Sequence, residues 1–233
     1  MIARSTPAGL CLISQPDHAA LARRIMERCV ALDDHPRREA ILVAIGEHDG
    51  GWAEIDAAPV VDPASGRLAD FIHLPLALRH AVWPRGVARL AHSPWAAALV
   101  AHHALTVYDR FRPDSTWDDF FAGMATARAA MIRASGLTLD DLVADYPFLR
   151  LGDLISLAFC TAASDELKFA EWTVRLDDAR VVVSPDPFGG RKIPFEIAGL
   201  EIPDRAYRTN AELRAELAVA ARLPFFGEVN GTP

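Results

Sequence analysis

The sequence predicts a mainly α fold, a helical bundle with a small β-hairpin appendage near the C-terminus. Three observations predict it. Apolar residues recur at helical spacing in most segments up to about residue 168. Helix-start chemistry stands ahead of those segments, at Ser14, Ser93 and Thr138. Beyond residue 168, β-branched alternation and Pro/Gly turns replace the helical period. The chain is therefore read as a helical core over 1–168 and a small β-rich appendage over 169–233, packed on that core.

Taken in order, residues 8 to 14 form a short apolar run that reads as a strand. Ser14 and Asp17 have the spacing of a capping box, with Pro16 tolerated in the first turn. The helix that follows places Leu21, Ala22, Ile25, Met26 and Cys29 on one face, and His18 shares it. Asp34 and Pro36 open a second helix, in which Ile41, Ala44 and Ile45 stack below His48. Gly50-Gly51 stops that helix, and residues 50 to 74 carry turn chemistry, including DPASGR at 62 to 67. A loop of this length inside a domain reads as a lid or a binding loop.

Helical periodicity returns from Leu76 to Leu90. Ser93-Pro94 caps and opens WAAALVAHHALTVYDRF, and Asp114 or Ser115 caps a helix running to about Ser135. Thr138 and Asp141 form a further capping box ahead of a helix that carries Asp153 toward Cys160. EWTVRLDDARVVVSP then reads as two strands joined at Asp177-Asp178. IPFEIAGLEIP reads as a second hairpin, and a short helix near 210 to 221 follows.

Bulk properties narrow the function. The 233 residues are 51% hydrophobic and 24% charged, an ordered globular balance. A net charge of −7 with no basic stripe argues against a nucleic-acid binder. Small phosphorylated partners stay open, because a bound cation reverses the local sign. No run of eighteen apolar residues exists, so no membrane-spanning helix is expected. Cys11, Cys29 and Cys160 have no metal-like spacing and suit a reducing compartment. Pro7 interrupts the only early apolar stretch, so a secretory signal is not expected and the chain reads as cytoplasmic. The C-terminal hairpins leave a homo-oligomer contact open.

One constellation stands above this background. His18 is followed by the adjacent pair His48-Asp49 at a helix end and by Asp153 several helices later. Imidazole and carboxylate together suit a divalent transition metal such as Fe, Mn, Zn or Ni. Successive helical residues diverge by about 100°, so His48 and Asp49 can share an ion only where the helix ends, and Gly50-Gly51 supplies that end. Each residue alone has an ordinary reading. His18 could meet solvent, His48 could face the helix dipole, and Asp49 could serve the turn. The joint order and the apolar surroundings favour ligands, because buried polar groups need partners.

These residues, with SQPDHAALA, AIGEHDGGWAEID, LVAHHALTVY and LGDLISL, resemble the HD superfamily of metal-dependent phosphohydrolases. The local wording is similar to an uncharacterised bacterial family of HD type over nearly the whole chain. The resemblance implies an all-helical core, one or two metal ions held by His18, His48, Asp49 and Asp153, and hydrolysis of a small phosphate ester or nucleotide. It also implies a second metal or substrate site among His80, His102 and His103, with His73 a further candidate. Dinuclear members include di-iron oxygenases, the rival enzyme reading, and a non-catalytic binding or regulatory protein is the rival of another class. Arg67, Arg79, Arg110, Arg150 and Lys168 are the candidate cations for a phosphoryl group. Trp52, Glu54 and Asp56 are candidates to shape the pocket or move protons.

Overall fold

The computed structural model describes residues 1–233. A hairpin of β1 (Ile2–Thr6) and β2 (Gly9–Ile13) comes first. The Ser14 hydroxyl then accepts from the Asp17 N–H and starts α1 (Gln15–Met26). The remaining helical elements are α2 (Arg38–Glu47), α3 (Ala53–Ala57), α4 (Leu76–Arg89), α5 (Pro94–Val107), α6 (Asp118–Ser135) and α7 (Leu139–Cys160). Both halves of the Thr138–Asp141 capping box are formed at the start of α7. Ser93 precedes α5 as expected but makes no side-chain cap bond. Then come β3 (Leu167–Phe169), β4 (Trp172–Asp177), β5 (Arg180–Ser184), β6 (Lys192–Ile202), α8 (Asn210–Val219) and β7 (Ala221–Gly231).

All seven strands form one curled, mixed sheet in the order β1-β2-β6-β7-β5-β4-β3. Every neighbouring pair is antiparallel except β5 with β7. This overturns the mainly α expectation with its small hairpin appendage, and the all-helical bundle implied by the HD resemblance falls with it. Half the residues are helical, and the sheet is a full layer. The physical reason is long-range pairing. Leu12 of β2 lies opposite Leu200 of β6, and no local pattern announces a partner so distant. The hairpin expected within IPFEIAGLEIP is instead a single strand, β6, running straight through Gly199 beside β7. The turn expected at Asp177-Asp178 is present between β4 and β5, with Asp178 left-handed at φ 57°.

One hydrophobic cluster of 51 buried residues runs from α1, α2, α5 and α7 into Val174, Val181, Val183, Ile193 and Val229 of the sheet. The boundary at 168 thus falls within a shared core, and β1 and β2 belong to the sheet. Burying each Leu, Ile or Phe side chain stabilises by about 1.5–3 kcal/mol, and α7 alone hides Leu149, Leu151, Ile155 and Phe159. No helix is long and apolar enough to cross a membrane.

Candidate metal centre

Four helices of this core, α1, α2, α5 and α7, converge on a buried polar cluster. His18 projects from the first turn of α1, His48 caps the C-terminus of α2, and Asp49 follows where the backbone leaves helical geometry. Asp153 lies inside α7. Close approach of α7 depends on Gly152, since a Cβ there would stand 2.8 Å from Met26 Cγ and 3.1 Å from Ile45 Cγ2. Gly51 does the same for the turn after Asp49, where a Cβ would meet the Val82 carbonyl oxygen of α4 at 2.0 Å.

The ligand-type atoms face one another. His18 Nε2 is 3.2 Å from His48 Nε2, 3.2 Å from Asp153 Oδ1 and 3.7 Å from Asp49 Oδ2. His48 Nε2 lies 3.4 Å from Asp49 Oδ2 and 3.5 Å from Asp153 Oδ1. Four ligands at the bond length of about 2.1 Å usual for zinc and nitrogen would stand about 3.4 Å apart at tetrahedral corners. The donor set fits a divalent ion.

The far side of each imidazole decides which nitrogen is bare. His48 Nδ1 donates to the Ile45 carbonyl at 2.7 Å. His18 Nδ1 meets Ser156 Oγ at 2.9 Å, and that hydroxyl lies 3.1 Å from the helix carbonyls of Gly152 and Asp153. Ser156 can therefore accept from His18 and donate onward to its own helix. Assigned this way, both Nε2 atoms present lone pairs to each other and to two carboxylates. Such a set is repulsive until a cation, metal or proton, sits within it.

Charge in the cluster follows from burial and proximity. Burial lowers the His48 pKa, but Asp49 and then Asp153 outweigh it and raise it to about 9. The chain alone therefore resolves the repulsion with a proton, which a metal ion would displace. Burial raises Asp49. Asp153 is opposed by burial but held well below the usual carboxylate range by Arg150, which bonds its Oδ2, and by the two histidines. Burial pushes His103 well below the usual imidazole range. Its Nε2 stands 3.5 Å from Asp153 Oδ2, its Nδ1 meets the Tyr146 hydroxyl at 3.1 Å, and it forms a second group with His48 and Asp153 that could hold an ion.

A pocket of about 280 Å³ opens onto this floor. His18, Asp49, His103 and Asp153 form its base, and Trp52, Phe71, Trp83 and Tyr108 supply aromatic walls. Of the five candidate cations, Arg79, Arg110 and Arg150 reach it. Arg67 and Lys168 do not: Arg67 is exposed and paired with Asp204, and Lys168 stands out from β3 beside Glu166 at 3.0 Å. Trp52 lines the pocket, but Asp56 lies outside it, accepting from the Met1 amino group at 2.5 Å and the Gln15 N–H at 2.6 Å. Glu54 is spent on Arg89 at the surface.

The second-site expectation divides. His103 joins the cluster, whereas His80 packs edge-on against Trp117 at 4.4 Å and His102 faces Tyr146 and Arg128. His102 is rotated from His103 by one helical step, which carries it off the site. His73 is exposed and tied to Asp70 at 2.6 Å. Gln15, Thr106, Tyr108 and Ser156 were missed from the sequence. The signal for Ser156 was there, a hydroxyl one turn beyond Asp153 on the same face of its helix.

A family model described as "Protein of unknown function (DUF3891)" matches residues 1–204. No curated protein and no solved structure matches the chain. The HD resemblance is corrected by this match and by the mixed sheet, which a helical HD bundle lacks. With the match spanning most of its length, the chain belongs to the DUF3891 family.

Proposed function

We propose that this protein is a metal-dependent hydrolase of a small phosphorylated molecule, a phosphate ester or nucleotide. The observation that carries the reading is the pair of imidazole nitrogens 3.2 Å apart, each ring held from behind through its Nδ1, hemmed by two carboxylates at the base of an arginine-lined pocket. His18, His48, Asp49 and Asp153 would hold one divalent ion of borderline character, Fe, Mn, Zn or Ni. That ion, when bound, supplies a water of lowered pKa and a Lewis acid for a phosphoryl oxygen. The chain's own residues do the rest. Ser156 and the Ile45 carbonyl hold the imidazoles in the ligand tautomer. Arg150 holds Asp153 ionised, and Arg79 and Arg110 present positive charge to an anionic substrate. Apolar Phe71, Val107 and Leu157 keep bulk water from the floor.

A single ion is favoured over the two needed by a di-iron oxygenase. Asp153 Oδ2, the carboxylate oxygen that stands 3.5 Å from His103 Nε2, is already bonded by Arg150, so His103 and Asp153 would be poorly placed to hold an ion of their own. The test loads metal-stripped protein with each ion and screens phosphomonoesters, phosphodiesters and nucleotides. Turnover that vanishes in Asp49→Ala supports the reading. No turnover with any ion, or equal turnover in Asp49→Ala, overturns it in favour of a non-catalytic binding protein.

A further inference from the structure

We infer that Arg79 is the receptor for a dianionic terminal phosphoryl group, so that the pocket selects phosphomonoesters over diesters. That such a monoester is the substrate rests on the hydrolase reading, but the anion site stands on the pocket wall alone. The Arg79 guanidinium carbon lies 4.6 Å from the centre of the Phe111 ring, 4.9 Å from Trp117 and 5.5 Å from Tyr108. The three rings of this aromatic box position the charge by cation–π attraction, and within it only the Tyr108 hydroxyl offers the guanidinium an oxygen. Arg79 has no carboxylate partner anywhere in the chain, and its Nε is buried without an acceptor. A buried donor in that state calls for an acceptor from outside.

Three further side chains of the same pocket hold a buried polar atom without a partner, Trp83 with its indole N–H among them. Trp52 is 2% exposed and its indole N–H has no acceptor; Gln15 is 3% exposed and its Oε1 has no donor. The other arginines separate by how their charge is spent. Arg150 is committed to Asp153. Arg110 lines the same pocket 4.7 Å from the same Phe111 ring, also without a carboxylate. Two uncompensated guanidinium groups sharing one ring match a ligand of charge −2. A diester, with one negative charge, would leave one of them unpaired, and the fork of a guanidinium suits the paired oxygens of a terminal phosphoryl group.

The experiment titrates phenyl phosphate and methyl phenyl phosphate calorimetrically into the full chain, stripped of metal and kept in chelator. Wild type should bind phenyl phosphate saturably and the diester at least tenfold more weakly. Arg79→Met, whose flexible thioether can stay in the aromatic box, should weaken phenyl phosphate at least tenfold. Arg79→Lys should fall between, and it carries the test if Arg79→Met does not fold. Arg67→Met should bind as wild type. Equal affinity of folded Arg79 variants and wild type, equal affinity for monoester and diester, or no phenyl phosphate binding by stripped wild type would each overturn the inference. Metal uptake by the same preparation separates the two ideas. Phenyl phosphate binding without metal uptake leaves the anion site standing and removes the hydrolase reading, and metal uptake without phenyl phosphate binding does the reverse.

Discussion

Helix α7 carries two buried aspartates about two turns apart, and the chain treats them in opposite ways. Asp145 is fully buried and fully answered. Arg37 donates to it twice, at 2.6 and 2.8 Å, Trp95 Nε1 donates at 2.8 Å, and His35 stands at 3.4 Å. Asp153 has Arg150 on one oxygen, while its other oxygen faces the Nε2 atoms of His18 and His48, with Asp49 beyond them. The first carboxylate receives its counter-charge from within the chain and locks α7 to α5 and the start of α2. The second belongs to a set whose lone pairs converge, so that only a bound proton or a metal ion relieves their repulsion. Burial alone does not mark a functional charge; incomplete internal compensation does.

The largest expected effect tests the second half of that contrast. Replacing both His48 and Asp49 with alanine should take metal from about one equivalent to none by elemental analysis, and take any phosphatase turnover to background. Retention of a full equivalent would mean the ion binds elsewhere. Next comes Asp145→Ala, which leaves Arg37 only Asp141 at 3.5 Å and the Trp95 indole N–H without an acceptor, and should cost about 3 kcal/mol in urea unfolding. The folded fraction should still bind metal at wild-type stoichiometry. A loss below about 1 kcal/mol would erase the difference between the two aspartates.

How much of this was legible in the sequence follows the range of the interactions concerned. The ligand set could be read because each member sits on a locally patterned helix, and Gly50-Gly51 marks the helix end that lets His48 and Asp49 converge. The sheet could not, because β2 finds β6 from the other end of the chain. Strand β7 is further disguised by Pro224 and Gly227. Proline is tolerated there because β5 pairs with β7 only from Glu228 onward, so beside Pro224 that edge is open. The arginines could not be ranked for a similar reason. What separates Arg79 from Arg67 is the carboxylate of Asp204, a neighbour brought by tertiary folding.

A smaller effect tests the support behind the ligands. Ser156→Ala removes the hydroxyl that orients His18 without touching a ligand atom. Metal affinity should fall about 10- to 100-fold, with stoichiometry unchanged, in a competition assay against a fluorescent chelator. Unchanged affinity would show that α1 packing alone holds the ring.

The smallest effect sharpens the boundary of the site at its most ambiguous point, two adjacent histidines of which only one faces the cluster. His102 Nδ1 accepts from Arg128 at 3.0 Å, and burial together with that guanidinium lowers its pKa to about 4. The folded state therefore keeps His102 neutral while the unfolded chain takes up a proton below about 6.5. Proton uptake by the unfolded state makes stability fall as pH drops from about 6.5 toward 4. His102→Gln keeps an acceptor for Arg128 but does not titrate. It should bind metal as wild type does, and at pH 4 it should lose about 1 kcal/mol less stability than wild type, relative to neutral pH, in urea titrations. The full shift would be worth ~3 kcal/mol, but water screens it at the partly exposed ring. An identical acid profile would show that His102 is solvated in the folded state. A loss of metal would place it in the site and join the two histidines that the helix geometry separates.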